Sequence, residues 1–285
     1  MRVSSADTRN FAKGVRLLKL ARKILALALT LCLMLPLTGC GEVVGRYRIV
    51  ETLGEQSYAI GFRNDDYVRY YVEAALQELA ADGTISGLAN SWFIEDNTYF
   101  VSRSNALAQF EGIPSRTLLV GADPDAYPLS YQENGQFTGF DVELARAVCE
   151  RLGWDVQFIA IKSENAYVEL SSGNVDCAWG GLTLDTDATN YSVLTPYLTD
   201  ELVIITRADT GAKSLRGLKG LSLAISVEQK YMTLLSADEG LMNRFGEIKR
   251  LTGGLQALLD AVNSGDAAAA LVSSTASRST AKILA

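Results

Sequence analysis

From Thr117 onward, short apolar strands alternate with amphipathic helices, and this alternation restricts the fold more than any other feature of the chain. TLLVG (117–121) is an apolar run of strand length. GFDVELARAVCERLG (139–153) puts Val142, Ala145, Val148 and Leu152 on one helical stripe, with Asp141 placed to cap its start and Gly153 to end it. DVQFIAI (155–161) reads as a strand, a helical turn follows near NAYVELSSG, and VDCAWGG (175–181) is a strand running into a glycine turn; ELVIITR (201–207) is a strand with a continuous apolar core. The pattern then repeats. GLSLAIS (220–226), IKRLT (248–252) and AAAALV (267–272) read as strands, VEQKYMTLLSA (227–237) and GLQALLDAVNSG (254–265) as helices, and a last helix is capped by Ser273 or Ser274. Alternating βα units imply largely parallel sheets with helices on both faces. Their grouping into 117–205 and 206–285 implies two lobes joined at a hinge.

The beginning of the chain is of another kind. Residues 1–23 hold seven Lys/Arg (Arg2, Arg9, Lys13, Arg16, Lys19, Arg22, Lys23) against Asp7 alone, and then ILALALTLCLMLPL runs uncharged to residue 37. Fourteen apolar residues fall short of the roughly 20 that span a bilayer, so the pattern is that of a secretory leader. Leu37-Thr38-Gly39-Cys40 resembles the bacterial lipobox, which implies removal of 1–39 and lipid on Cys40; the alternative is an ordinary leader with an incidental cysteine. The whole chain carries 26 basic and 33 acidic residues, so without 1–39 it has 19 against 32. A body at net −13 is unsuited to nucleic acid or to electrostatic attachment to anionic lipid.

The chain contains no histidine, which removes the commonest general base, the Ser/His and Cys/His pairs and most zinc sites. It has no glycine-rich phosphate loop and no CxxC, so no cofactor or metal is implied. Cys149 and Cys177 sit in apolar contexts and read as two buried free thiols.

QENGQFTGFDVELARAVCERLG, VDCAWGGLTL, TPYLTDELVIITR, SLRGLKGLSLAIS and ALLDAVNSGDAAAALV occur in the order found in one family. They resemble the polar amino-acid-binding proteins of ABC importers, two-lobed receptors of the type II periplasmic-binding class. The resemblance covers nearly all of 117–285 and implies an α/β fold, each lobe a mainly parallel sheet flanked by helices, with two hinge crossings near Ser57 and Thr206. Family members continue past the last helix with a strand, cross back to the first lobe and end in a helix with a Trp-Phe pair. Here those pieces are found at the start of the chain. Residues 40–57, with Tyr47–Leu53, look like the terminal strand of lobe two. Residues 58–96 look like the C-terminal part of lobe one: Tyr58–Phe62 as the returning strand, Asp65–Gly83 as the helix (Val68, Val72, Ala75 and Leu79 on one face) and Trp92-Phe93 as its ending. The chain thus reads as a circular permutation whose old ends are joined by a linker over 97–116. Residues 43–93 close either on their own chain or on another molecule.

The resemblance also implies a ligand cleft between the lobes. Tyr127 is the candidate aromatic platform, with Tyr131 as a core-facing alternative; Gly180, Gly181 and Thr183 supply backbone and hydroxyl contacts, and Trp179 is either a wall or core. Where the family places an Arg for the ligand carboxylate, this chain has Asp187 in a loop of exposed character. Where it places an acid for the ammonium there is Ser273, and the small turn after GLSLAIS is Glu228-Gln229. A cleft without a cation and with Asp187, Glu228 and Asp123 is expected to take a cationic or neutral solute. The resemblance therefore implies a non-enzymatic, lipid-anchored receptor at the outer face of the membrane, handing a small polar solute to an ABC permease. The alternatives are a sensory or degenerate receptor, and an enzyme using Asp123, Asp187 or Glu228.

Overall fold

A computed structural model describes residues 42–209 and 212–283. Two main sheets and a small third one organise these residues. The six-stranded sheet runs β1 (Val43–Val44), β2 (Tyr47–Tyr58), β11 (Leu198–Arg207), β14 (Ala269–Ser273), β12 (Ser222–Ser226) and β13 (Glu247–Leu251). The five-stranded sheet runs β10 (Ser192–Val193), β3 (Gly61–Phe62), β9 (Cys177–Ala178), β4 (Thr117–Ala122) and β8 (Asp155–Ala160). The third sheet joins β5 (Asp125–Ala126), β6 (Ser130–Glu133) and β7 (Gln136–Thr138). The helices are α1 (Val68–Ala81), α2 (Thr84–Trp92), α3 (Phe140–Leu152), α4 (Ala166–Ser172), α5 (Gln229–Ala237), α6 (Glu239–Met242), α7 (Gly254–Ser264) and α8 (Ser274–Ile283).

The two main sheets define two lobes. Parallel pairing holds where βα units build the sheets, β4 with β8 and β9, and β12 with β13 and β14. Pairing is antiparallel where the chain passes between lobes, in β2–β11, β11–β14, β3–β9 and β3–β10. In lobe two, Val203, Ile205, Ala270 and Val272 pack toward α7, whereas Ile204, Leu223, Ile225 and Leu271 pack with Leu235 on the other face. Both faces are covered, so alternation along a strand no longer separates apolar from polar, and the strands read as continuous apolar runs.

β2 has twelve residues against the ten of β11, and the excess is taken up at two irregularities opposite Leu202/Val203 and Ile204/Ile205. Each leaves a residue of β2, Leu53 and Val50, without a register partner. Both pack on the Ile204 side of the sheet. In lobe one, Phe62, Val68, Val72 and Leu79 share one core with Leu118, Val120, Phe140, Val148 and Trp179. Phe93 lies 4.8 Å from Phe140 between ring centroids, and the Trp92 indole N–H donates to Glu143 at 3.0 Å.

Three features differ from the sequence expectations. The strand containing ELVIITR starts at Leu198, not Glu201, and lies wholly in the six-stranded sheet, so one crossing falls at Ala59-Ile60, close to Ser57, and the other at Leu194–Tyr197 rather than near Thr206. The crossings run side by side, Leu194 N–H donating to Ile60 O (2.9 Å) and Tyr197 N–H to Tyr58 O (3.0 Å). Asp141 does not cap α3; it is buried within the first turn and accepts from elsewhere. The segment 97–116 is docked rather than loose. Tyr99 N–H donates to Tyr197 O (2.7 Å), Leu107 N–H to the Glu78 carboxylate (2.9 Å), and the Trp154 indole to Pro114 O (2.7 Å), while Phe110 lies 4.4 Å from Tyr71.

Candidate ligand cleft between the lobes

The parallel strands β4 and β9 end at the same level, where open α/β sheets present their ligand sites. Asp123 follows β4, is 2% exposed, and donates its N–H to Gly180 O at 2.9 Å. Its carboxylate accepts from Asp125 N–H (2.8 Å) and from Lys162 Nζ (2.7 Å), and Lys162 also bridges to Asp125 at 2.8 Å. Burial raises the Asp123 pKa against the pull of Lys162. For Lys162 burial opposes the charge, but its hydrogen bonds to the two carboxylates prevail and raise its pKa.

The glycine turn after β9 is required by space as well as by conformation. Gly180 has φ 130° and a Cβ there would lie 2.7 Å from Ala122 Cβ; Gly181 has φ 66° and its Cβ would collide with Ala126. Gly181 N–H donates to Asp141 Oδ2 (2.7 Å), which also accepts from the Tyr197 hydroxyl (2.6 Å). One buried carboxylate therefore ties the cleft turn to a lobe crossing. Burial pushes the Asp141 pKa up to about 7, opposed by the Tyr197 and Gly181 hydrogen bonds and by Trp179.

Lobe two faces this edge with Ser226, Glu228, Lys230, Tyr231 and Ser273. Lys230 lies 3.2 Å from the Glu228 carboxylate, which also accepts from the Ser226 hydroxyl at 3.2 Å. Ser273 caps α8 by accepting from Ala276 N–H (3.0 Å) and donates its hydroxyl to Asp200. Asp200, 3% exposed, further accepts from the Ser274 hydroxyl (2.7 Å) and from Thr275 and Glu201 N–H groups (3.0 and 2.8 Å). The phenols of Tyr58 and Tyr231 are raised in pKa by burial first, then by Asp200 and by Glu228 respectively. With the lobes closed, the space between these groups is only about 50 Å³.

Of the residues singled out in the sequence, Tyr127, Gly181 and Ser273 line this cleft, as do Asp123 and Glu228. Tyr127 is half-buried, edge-on to Tyr131 at 5.1 Å, and burial pushes its phenol up to about 12. Trp179 is 1% exposed in the lobe-one core, and Gly180 contributes its carbonyl to Asp123. Thr183 points its N–H at the Ser163 hydroxyl (3.1 Å) and Asp187 is exposed in its loop; neither lines the cleft. Gln229 opens α5, and its side chain lies outside the described residues, as does Cys40.

The expectation of a cleft without cations is corrected by Lys230 and Lys162, each already paired with an acid. Lys162 had a signal, since it directly follows the strand DVQFIAI at the sheet edge where β4 and β9 also end. Asp200 had none, because it lies within TPYLTDELVIITR and its role depends on the distant Ser273 and Ser274.

The model of the bacterial extracellular solute-binding proteins, family 3, matches residues 118–269, just over half of the chain. Among curated relatives, the arginine-binding extracellular protein ArtP of Bacillus subtilis is 27% identical over 129 residues, covering 44% of this chain and 51% of that protein. The L-cystine-binding protein TcyJ of Escherichia coli is 28% identical over 119 residues, covering 40% and 45%. A crystal structure of the ancestral amino acid-binding protein AncCDT-1, a precursor of cyclohexadienyl dehydratase, aligns at 28% identity over 58% of this chain and 74% of that one, with a TM-score of 0.48. The chain spans about half the length of the curated relatives it matches. With a two-lobed α/β frame, a glycine turn facing a hinge cleft and this family match, the chain belongs to the bacterial extracellular solute-binding proteins, family 3.

Proposed function

We propose that this protein is a solute receptor of an ABC importer, held at the outer face of the membrane by lipid on Cys40, and that its cleft takes a small amino-acid-like solute bearing an ammonium or other cationic group. The observation that carries the solute class is the pairing of Asp123 from lobe one and Glu228 from lobe two across one cleft. After burial, which dominates, and the hydrogen bonds and charge that oppose it, Glu228 adds to the raised Asp123 pKa, as expected of like charges brought together. A cation between them would relieve that repulsion and join the lobes, with Tyr127, Tyr58 and Tyr231 as nearby ring surfaces. The names of relatives such as the arginine-binding ArtP agree with such a solute. Entry requires opening at Ala59-Ile60 and Leu194–Tyr197, since about 50 Å³ does not hold an amino acid.

The same proposal includes the order of the chain. Residues 40–57 supply the terminal strand of lobe two and 58–96 the terminal part of lobe one, a permuted arrangement supported by the intrachain pairing of β2 with β11 and of β3 with β9.

Calorimetry with L-arginine and putrescine tests the solute class. Micromolar binding that weakens about 10- to 100-fold in Glu228→Gln and in Asp123→Asn is expected, since hydrogen bonds to charged groups are worth about 1.5–3 kcal/mol. Binding of glutamate in place of these cations, or of nothing at all, overturns the reading; the second result would indicate a receptor whose own Lys–acid pairs have closed the cleft.

A further inference from the structure

A cavity wider than the cleft centre opens next to it. Its space of about 630 Å³ lies between the lobe-one hairpin β5–β6 and the α7 face of lobe two. We infer that this cavity is a second ligand site, separate from the ammonium cleft, that takes an aromatic monocarboxylate. Its volume falls within the roughly 300–1,000 Å³ of small-molecule sites.

The walls select the chemistry. Tyr127 and Tyr131 stand on one side, 5.1 Å apart at 64°, and Tyr131 is braced by Trp92 at 6.3 Å. Leu255 and Leu259 of α7 supply an apolar surface opposite. A flat ring between tyrosine edges and leucines is well matched, because aromatic contacts add to the area they bury. The charge comes from Arg46 in the turn between β1 and β2. Arg46 is exposed and makes no ion pair among the described residues, unlike Arg278 and Arg207 nearby in lobe two. A free guanidinium presents a planar fork suited to a carboxylate.

The neighbouring polar groups compete little for it. Asn263 donates to the Tyr47 hydroxyl at 2.9 Å, and Asp125 is held by Lys162. Glu133, exposed toward the tip of the β6–β7 hairpin, is the one acid of the lining without an ion pair among the described residues; it disfavours a dianion and leaves room for one negative charge. A ligand here touches lobe one through the tyrosines and lobe two through Arg46 and α7, so its binding favours the closed lobes. Tyr127 walls both this cavity and the cleft, which couples the two sites through one side chain.

Phenylacetate is the probe, because it has the ring and the carboxylate but no ammonium for the Asp123–Glu228 cleft. Titration of the whole protein is followed by calorimetry and by tryptophan fluorescence, to which Trp92 reports through Tyr131. Saturable binding is expected, weakened at least about tenfold in Arg46→Met and in Tyr131→Ala and unchanged in Glu228→Gln. Phenethylamine, with the same ring and opposite charge, should not compete. Absence of saturable binding, binding indifferent to Arg46→Met, or equal competition by phenethylamine overturns the inference. Arg46 is exposed, so its replacement tests the charge without threatening the fold. Loss of arginine binding in Glu228→Gln with phenylacetate binding intact would separate this site from the cleft.

Discussion

β2 in the six-stranded sheet and β3 in the five-stranded sheet each lie one place from the edge, with only the two-residue β1 and β10 beyond them; the difference is that β3 is followed by two helices packed into the lobe-one core. Both strands come from the same leading segment, yet the lobes depend on it differently. Lobe two would lose a near-edge strand and keep the β11–β14–β12–β13 core with α7 and α5 on its faces. Lobe one would lose β3 together with α1 and α2, and with them Phe62, Val72, Leu79, Ile85 and Phe93 from its core. A near-edge strand lost alone leaves the faces of its sheet covered, whereas one lost with two packed helices leaves a core open.

The largest expected effect is therefore from deleting residues 42–93. Lobe one should fail to fold and the remainder should aggregate, seen by gel filtration and by loss of near-ultraviolet circular dichroism. Amide exchange should retain some protection in β12 and β14 and none in β4. A monodisperse, cooperatively melting 94–285 would break the comparison.

Single substitutions sharpen it. Phe62→Ala, at a residue 0% exposed, should cost about 3–5 kcal/mol in denaturant melts. Val50→Ala, at a partly buried position of β2, should cost less than about 2 kcal/mol. Equal costs at the two sites would mean that both lobes rely on the segment alike.

A pH series addresses lobe one through Asp141. Burial in the fold raises its pKa from the ordinary 3.8 to about 7, so the folded state binds the proton more tightly than the unfolded state. The stabilisation it contributes is complete below about pH 4 and is lost as pH rises through 7, on the order of a few kcal/mol. The difference in melting temperature between Asp141→Asn and the parent should change across this window, with the parent losing stability toward alkaline pH. A difference independent of pH would show that Asp141 is charged throughout and held by Gly181 and Tyr197.

The smallest effect belongs to the ionic contact between the leading segment and α3. Arg151 bridges Glu78 at 3.2 Å and Asp82 at 2.5 Å, and the Thr84 side chain, then Arg151, holds the Asp82 carboxyl down to about 2. The groups are largely solvated, so Arg151→Met should cost under about 1 kcal/mol. A larger loss would mean that charge as well as apolar packing holds the segment on lobe one.

Much of this frame was legible from local periodicity. Val142, Ala145, Val148 and Leu152 are all buried along α3, and Val68, Val72, Ala75 and Leu79 along α1, because a helix buries one stripe whatever its partner. Misreadings fell where the partner decides. Leu198, Thr199 and Asp200 lie ahead of the strand read at ELVIITR, yet they form strand because β2 lies alongside with Tyr58, Ser57 and Gln56 in register. Asp141 has the spacing of a cap, but Gly181 and Tyr197, 40 and 56 residues on, claim its carboxylate. The 97–116 segment lacks periodicity, yet Phe100, Leu107 and Ile113 dock it on lobe one. In the cleft the acids Asp123 and Glu228 were identifiable as types, while their pairing with Lys162 and Lys230 is a product of the fold.

Closure of the leading segment on its own chain can be tested by a disulfide. Ser57 and Thr199 are register partners with hydroxyl oxygens 3.4 Å apart, close enough for a bond between cysteines. In Ser57→Cys/Thr199→Cys, with Cys32 and Cys40 replaced by Ser, the native Cys149 and Cys177 should stay reduced. Both are buried, and burial pushes the Cys149 thiol up to about 12. Oxidation should give a disulfide-linked monomer on a non-reducing gel, with peptides around 57 and 199 joined and the melting temperature raised. A covalent dimer through the same two cysteines would show that residues 42–93 complete a second molecule, contradicting closure within one chain.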